Sequence, residues 1–228
     1  MAKYSYNNEI EFFEIDPTAL SDGLSYAEKN GYTALRIRCL NQNDGQRYTL
    51  DFSDFADREF IRKLIIGNSF LLEKILNVDA LYTLRNLEFL SIDQPIQLDL
   101  LQFSNLTTLY ITGDNKVKNI EALTNLRHLL ITSTTHKDLT HLENLRNLET
   151  LRICGGKITS LQGIETFRNL DRLELLYCRK LMDVDSISKL AYLKKLHIEK
   201  CEQVANLSVL QGNQTIRDLF VEKVTNLG

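Results

Sequence analysis

Apolar residues recur along this chain in one phrase, Leu-x-x-Leu-x-Leu. The clearest copies are Leu106, Leu109, Ile111; Leu126, Leu129, Ile131; Leu148, Leu151, Ile153; Leu170, Leu173, Leu175; and Leu193, Leu196, Ile198. Looser copies flank them: Tyr32, Leu35, Ile37; Ile61, Leu64, Ile66; Leu87, Leu90, Ile92; and Ile216, Leu219, Val221. Between third members the spacings are 29, 26, 19, 20, 22, 22, 23 and 23 residues. Self-similarity at such a period marks a solenoid of stacked units, each too small to bury its apolar face alone.

Inside each phrase the apolar spacing falls from three to two, the period of a strand. This predicts about nine short parallel strands in one sheet, the one near Leu35 at one edge and the one near Leu219 at the other. The last two apolar residues of each phrase face inward and the residues beside them face out. Between phrases the apolar positions keep stepping by three, as in Ile158, Leu161, Ile164, Phe167, Leu170 and Leu173. Three residues per turn suits 3₁₀ or extended left-handed segments, not the 3.6 of an α-helix. The back wall is therefore predicted to be tight turns. Only the longer spacings before Ile92 leave room for a helix, at 69 to 76.

The stretch from about Val117 to Val221, with lines such as ITSLQGIETFRNLDRLELLYC, resembles the 22-residue leucine-rich repeats of bacterial internalins and of eukaryotic phosphatase-regulating repeat proteins. YCRKLMDVDSISKL and KCEQVANLSVL are also similar to cysteine-containing leucine-rich repeats, and weaker copies carry the likeness back to about Leu72. The resemblance implies an α/β leucine-rich-repeat solenoid with a curved parallel sheet, a mostly 3₁₀ or extended convex side and an N-terminal cap. It implies no particular ligand, because such families share a shape rather than a function. The family often places Asn or Cys three residues after the phrase, to turn the chain inward. Here that slot holds Asp114, Thr134, Gly156, Cys178, Cys201 and Val224, so a regular asparagine ladder is not expected there.

Residues 1–31 lack the phrase and read as the cap, with 32–228 as an array of about nine repeats whose last member is atypical or truncated. Asp16-Pro17 supplies a helix start, Leu20, Leu24 and Ala27 an apolar face, and Asn30-Gly31 a stop, predicting a helix at about 17 to 29 that covers the first strand. With 27 Lys+Arg against 30 Asp+Glu the formal charge is −3, and the overall field favours neither nucleic acid nor an anionic membrane. No secretory h-region or apolar membrane span is visible, so a cytoplasmic protein is expected. Cysteines 39, 154, 178 and 201 form no CxxC pair, and reduced thiols are expected; neighbouring strands would still bring Cys178 and Cys201 within disulfide range.

A search for chemistry leads away from catalysis. His136 and His141, in TSTTHKDLTH, have no acidic or thiol partner at ligand spacing, so both read as solvated loop residues and no metal site is expected. His128 and His197 lie on outward strand positions, but neither Ser91 nor Cys154 comes within reach of His128. No phosphate-cradling glycine loop is present, and neither an enzyme nor a cofactor is predicted. Arg152, Glu174 and His197 should form a row across three consecutive strands, either a surface charge network or part of a recognition face. Phe89, Tyr110 and Leu130 should be outward neighbours, and exposed aromatics beside arginine are typical of binding anchors. The candidate partner-binding set is therefore Phe89, Tyr110, His128, Leu130, Arg152, Glu174 and His197. The competing reading is that the N-terminal segment, or the loop after Ile92, folds over this patch. On the first reading the chain is a non-catalytic module binding a protein on its concave face, in a regulatory, inhibitory or immunity-type role. A different class is a structural protein that self-associates weakly through its C-terminal edge strand. Arg152→Ala and Tyr110→Ala, both outward, are expected to leave stability nearly intact.

Overall fold

The computed structural model describes residues 3–40, 47–204, 206–211 and 213–222. They divide into two compact units, one of residues 1–98 with 102–106 and one of 99–101 with 107–228.

In the first unit, β1 (Tyr4–Asn7) and β2 (Phe12–Ile15) pair antiparallel, and β2 runs parallel to β3 (Ala34–Ile37) with Phe13 opposite Leu35. β4 (Arg47–Asp51) comes next in the chain, then β5 (Lys63–Ile66), which pairs with β3; β6 (Leu71–Leu76) precedes β7 (Phe89–Ile92), which pairs with β5. The strand near Leu35 is thus not an edge: it is flanked on both sides, because Phe13 and Ile15 repeat the inward alternation of Leu35 and Ile37 and lie buried beside them. Neither belongs to a full phrase, so the repeat does not reveal this strand. The expected helix at 69 to 76 is also corrected. That stretch is β6, which pairs in parallel with β4 as a separate two-stranded sheet. The longer spacings accommodate this extra pair instead of a helix.

The helix of the cap forms as its signals require. A 3₁₀ turn at Pro17–Ala19 leads into α1 (Leu20–Lys29). Asp16 Oδ1 accepts from Thr18 N at 3.0 Å, and Asp16 Oδ2 accepts from Leu40 N at 3.1 Å, tying the helix start to the chain beyond β3. Leu24 and Ala27 are fully buried. Phe13 stacks on Tyr32 at 4.8 Å and on Tyr26 at 5.7 Å, so one aromatic cluster joins β2, α1 and the chain just before β3.

The two-residue strands β8 (Leu98–Asp99) and β10 (Val117–Lys118) belong to the back wall. In the second unit β9 (Thr108–Thr112), β11 (His128–Thr134), β12 (Thr150–Gly156), β13 (Arg172–Leu176), β14 (Lys195–Glu199) and β15 (Asp218–Glu222) form a parallel ladder in that order. The register aligns the phrases: Leu109, Leu129, Leu151, Leu173, Leu196 and Leu219 are successive partners. The connections contain 3₁₀ turns at Ile120–Ala122, Thr140–Leu142, Ile164–Thr166, Asp185–Lys189 and Ser208–Leu210, and no α-helix among the described residues. A step of three brings one apolar residue of each turn inward, which is how Ile158, Leu161, Ile164, Phe167 and Leu170 all become buried.

At the inward slot after each phrase, several side chains do the work of an asparagine. Cys178 Sγ lies 3.6 Å from Ile153 O and Cys201 Sγ 3.4 Å from Leu175 O, so both thiols reach back to the preceding repeat. All four cysteines are free thiols. Its hydrogen bond with Cys201, together with burial, raises the Cys178 pKa far above the ordinary thiol range. Gly156 fills the slot with no side chain: its φ is +102°, and a Cβ there would sit 2.3 Å from Thr134 O. Val224 lies outside the described residues. Asparagines do act between repeats, but from the position before the first leucine. Asn86 donates to Glu59 O, Asn105 to Arg85 O and Asn147 to Thr124 O, at 2.9, 2.7 and 2.8 Å.

Candidate functional site

Six of the seven candidate residues lie in the second unit, on the outward positions of its ladder. Tyr110 pairs with Leu130, Leu130 with Arg152, Arg152 with Glu174, and Glu174 with His197, while His128 is opposite Thr150 in the adjacent row. Tyr110, His128, Leu130 and Arg152 are half-buried by their neighbours. Together with Thr150, Arg172 and Glu174 they line an open depression of about 380 Å³.

Phe89 belongs to the first unit. Its ring lies 6.1 Å from that of Phe12 on β2, so the N-terminal segment packs against it, as the competing reading anticipated for this one residue.

Glu174 departs most from a simple outward position. It is 7 % exposed, although it alternates with inward leucines, because Arg152 and Arg172 close over it. Arg152 Nε donates to Glu174 Oε2, and Arg172 Nη1 lies 3.4 Å from Oε1. Burial opposes ionisation of the carboxyl, but the Arg152 hydrogen bond and the two positive charges outweigh it and hold the pKa below the usual glutamate value. This revises the expectation for Arg152→Ala. Arg152 is the partner of a shielded carboxylate, and its removal costs stability as well as any contact surface.

His197 does not continue the charge row. Its Nε2 lies 3.2 Å from Glu199 Oε2 on its own strand, and its ring meets Phe220 edge-on at 4.5 Å. A smaller depression of about 110 Å³ there is lined by Arg172, Glu174, Lys195, His197 and Phe220. Cys154, beside this row, has its thiol pKa raised, chiefly by burial, so it is not poised as a thiolate.

Two constellations were missed. Glu14 on β2, paired in register with Arg36, is 4 % exposed and held by Arg36 Nη1 at 3.2 Å and Arg38 Nη1 at 3.4 Å. Only the alternation Phe13, Glu14, Ile15 signalled it. The second overturns the reading of His136 and His141 as partnerless, and of His141 as solvated, while His136 is exposed as expected. Their rings stack at 3.6 Å and 11°, and ligand atoms of Asp114, His136 and His141 all lie within 4.8 Å of one another. The acidic partner comes from the preceding repeat, where spacing along the chain does not reveal it. Burial first, then the neighbouring His136, lowers the His141 pKa below the usual imidazole value, against the pull of Asp114 and Asp138.

Repeat, register and back wall together define the fold, an α/β leucine-rich-repeat solenoid. No protein-family model matches the chain, and no curated protein matches it. Among solved structures it is similar to an internalin, InlF, from Listeria monocytogenes at 19% identity and a TM-score of 0.62, covering 90% of this chain and 56% of that one. An internalin C2 from the same organism matches at 25% identity and a TM-score of 0.53, over 82% of this chain and 79% of that one. A leucine-rich-repeat protein of Leptospira interrogans matches at 16% identity and a TM-score of 0.50, over 87% and 64%. The chain therefore spans little more than half the length of InlF. Among the described residues no helix is long and apolar enough to cross a membrane.

Proposed function

We propose that the chain is a non-catalytic interaction module that binds a protein partner through the outward, concave face of its repeats, in a regulatory, inhibitory or immunity-type role. The observation that carries this reading is the depression in the second unit, where Tyr110, Leu130 and His128 stand beside the Arg152–Glu174–Arg172 network. Aromatic and arginine side chains in a part-desolvated hollow are the usual anchors of protein interfaces. Its fixed ion pairs suit a partner presenting hydrogen-bond donors and acceptors around an apolar contact, since the arginines are already oriented by Glu174. The leucine-rich-repeat fold of its neighbours fits an interaction role in general terms. A cytoplasmic location belongs to the same reading.

The test is comparative recovery from cells of the source organism, with wild-type chain and Tyr110→Ala as baits. A protein held by the wild type and lost by Tyr110→Ala, while a Lys118→Ala bait keeps it, supports the outward face. Equal recovery by all three baits contradicts it.

A second reading, self-association through the last described strand, draws on Leu219 and Phe220, which are 52% and 48% exposed on β15. Sedimentation across concentration separates the two: a dimer that Phe220→Ser abolishes would favour assembly.

A further inference from the structure

The loop between β11 and the turn at Thr140–Leu142 carries a feature that partner binding leaves unexplained. Neither ring nitrogen of His141 has a hydrogen-bond partner, although both are shielded from solvent. His141 as a whole is half-buried, but ring nitrogens shielded in this way forfeit the hydrogen bonds they would make in water, a cost that native structures rarely leave unmet. His136 stacks against the same ring, and Asp114 of the preceding repeat faces both.

The geometry points to a binding site for a first-row divalent transition-metal ion, Zn²⁺ suiting the donor set best, formed by Asp114, His136 and His141. Two imidazoles and one carboxylate are intermediate in softness, which favours zinc and its neighbours over calcium or magnesium with their all-oxygen shells. Metal–ligand bonds of about 2.0–2.2 Å place the donors of a tetrahedral ion roughly 3.3 Å apart. The present separations, within 4.8 Å, close to that value by rotation of the two rings out of their stack.

The surroundings hold these ligands as an outer shell does in metal sites. Asp114 Oδ1 accepts from Thr135 N at 2.8 Å and Thr135 Oγ1 at 2.7 Å, and Oδ2 accepts from Thr134 Oγ1. With three of about four lone-pair positions used, Oδ2 keeps one for an ion. The backbone of the next repeat pins the histidine loop. Lys157 N donates to Thr134 O at 2.7 Å, Thr159 N to Lys137 O at 2.8 Å, and Leu139 N to Gln162 O at 2.8 Å. Three protein ligands leave a fourth position for water or for a donor from a bound protein. The ion would cross-link the repeat of Asp114 to the loop of the following one.

The test is titration of the full chain with Co²⁺ alone, followed in the visible range, and displacement by Zn²⁺. One equivalent should bind with the bands of a nitrogen–oxygen set, Zn²⁺ should displace it, and His136→Ala should weaken binding at least about tenfold. His136 is exposed, so this variant keeps the fold, and circular dichroism verifies it. His141→Ala should match it, and Cys154→Ser should leave the signal unchanged. The inference is overturned if the wild type shows no saturable Co²⁺ binding, if both histidine variants bind as tightly as the wild type, or if near-ultraviolet thiolate bands disappear in Cys154→Ser.

Discussion

Leu151 and Thr150 are neighbours on β12 that face opposite ways: Leu151 is fully buried and Thr150 is half-exposed. Leu151→Ala should therefore cost about 2–5 kcal/mol, and Thr150→Ala less than about 0.5. Urea unfolding of the two variants checks the register, since a slipped strand would reverse the order. This contrast was legible in the chain because period-two alternation at a repeated phrase leaves one assignment of faces. The state of Glu174 was not. Its position predicts an outward side chain, and only the arginines on the same and the neighbouring strand explain why it is shielded. Arg152→Ala should destabilise by about 1–2 kcal/mol, at the lower end of charged hydrogen bonds because the guanidinium is partly in water and Arg172 remains. The Glu174 pKa is lowered from an ordinary value of 4.5, so the stability it contributes is fully present above that pH and drains away as pH falls through the lower folded value. The stability gap between wild type and Glu174→Gln should accordingly be constant near neutrality and shrink below about pH 4.5, as urea midpoints across pH will show.

At the scale of elements, the step of three was sufficient to place 3₁₀ turns behind β9 to β15, because no α-helix keeps that period. The helix expected at 69 to 76 rested instead on the longer spacings before Ile92, and room in the chain does not select a helix. Leu72, Ile75 and Val78 keep the step of three, yet β6 runs extended over Leu71–Leu76 and draws its order from pairing with β4, which periodicity within one segment does not reveal. Close approach of repeats is likewise a property of two elements. Gly156 and Gly155 both have positive φ, but a Cβ at Gly155 would meet nothing nearer than 3.7 Å, whereas one at Gly156 would strike the Thr134 backbone. Both alanine variants carry conformational strain; Gly156→Ala should lose at least about 1 kcal/mol more than Gly155→Ala, read from thermal unfolding at one pH. The metal-ligand cluster was hidden for the same reason, since Asp114 and the histidines belong to successive repeats.

For the molecule as a whole, the recurring phrase made the fold class legible from the sequence alone, while β1 and β2 before Leu35 and the β4–β6 pair were not read from it. Function was far less legible, because outward positions carry no period and their chemistry depends on which neighbours close over them. Tyr110, Leu130 and Arg152 could be named as a row, but not as the wall of a depression with a shielded carboxylate at its side. The central claim is that this face holds the partner. Calorimetric titration of the purified partner into the wild type, Tyr110→Ala and Lys118→Ala tests it most directly. Tyr110→Ala should bind at least about 1 kcal/mol more weakly with an unchanged melting temperature, and Lys118→Ala should bind nearly as the wild type does. Unchanged affinity in Tyr110→Ala, with loss in Lys118→Ala, would contradict the account and move the site to the back wall.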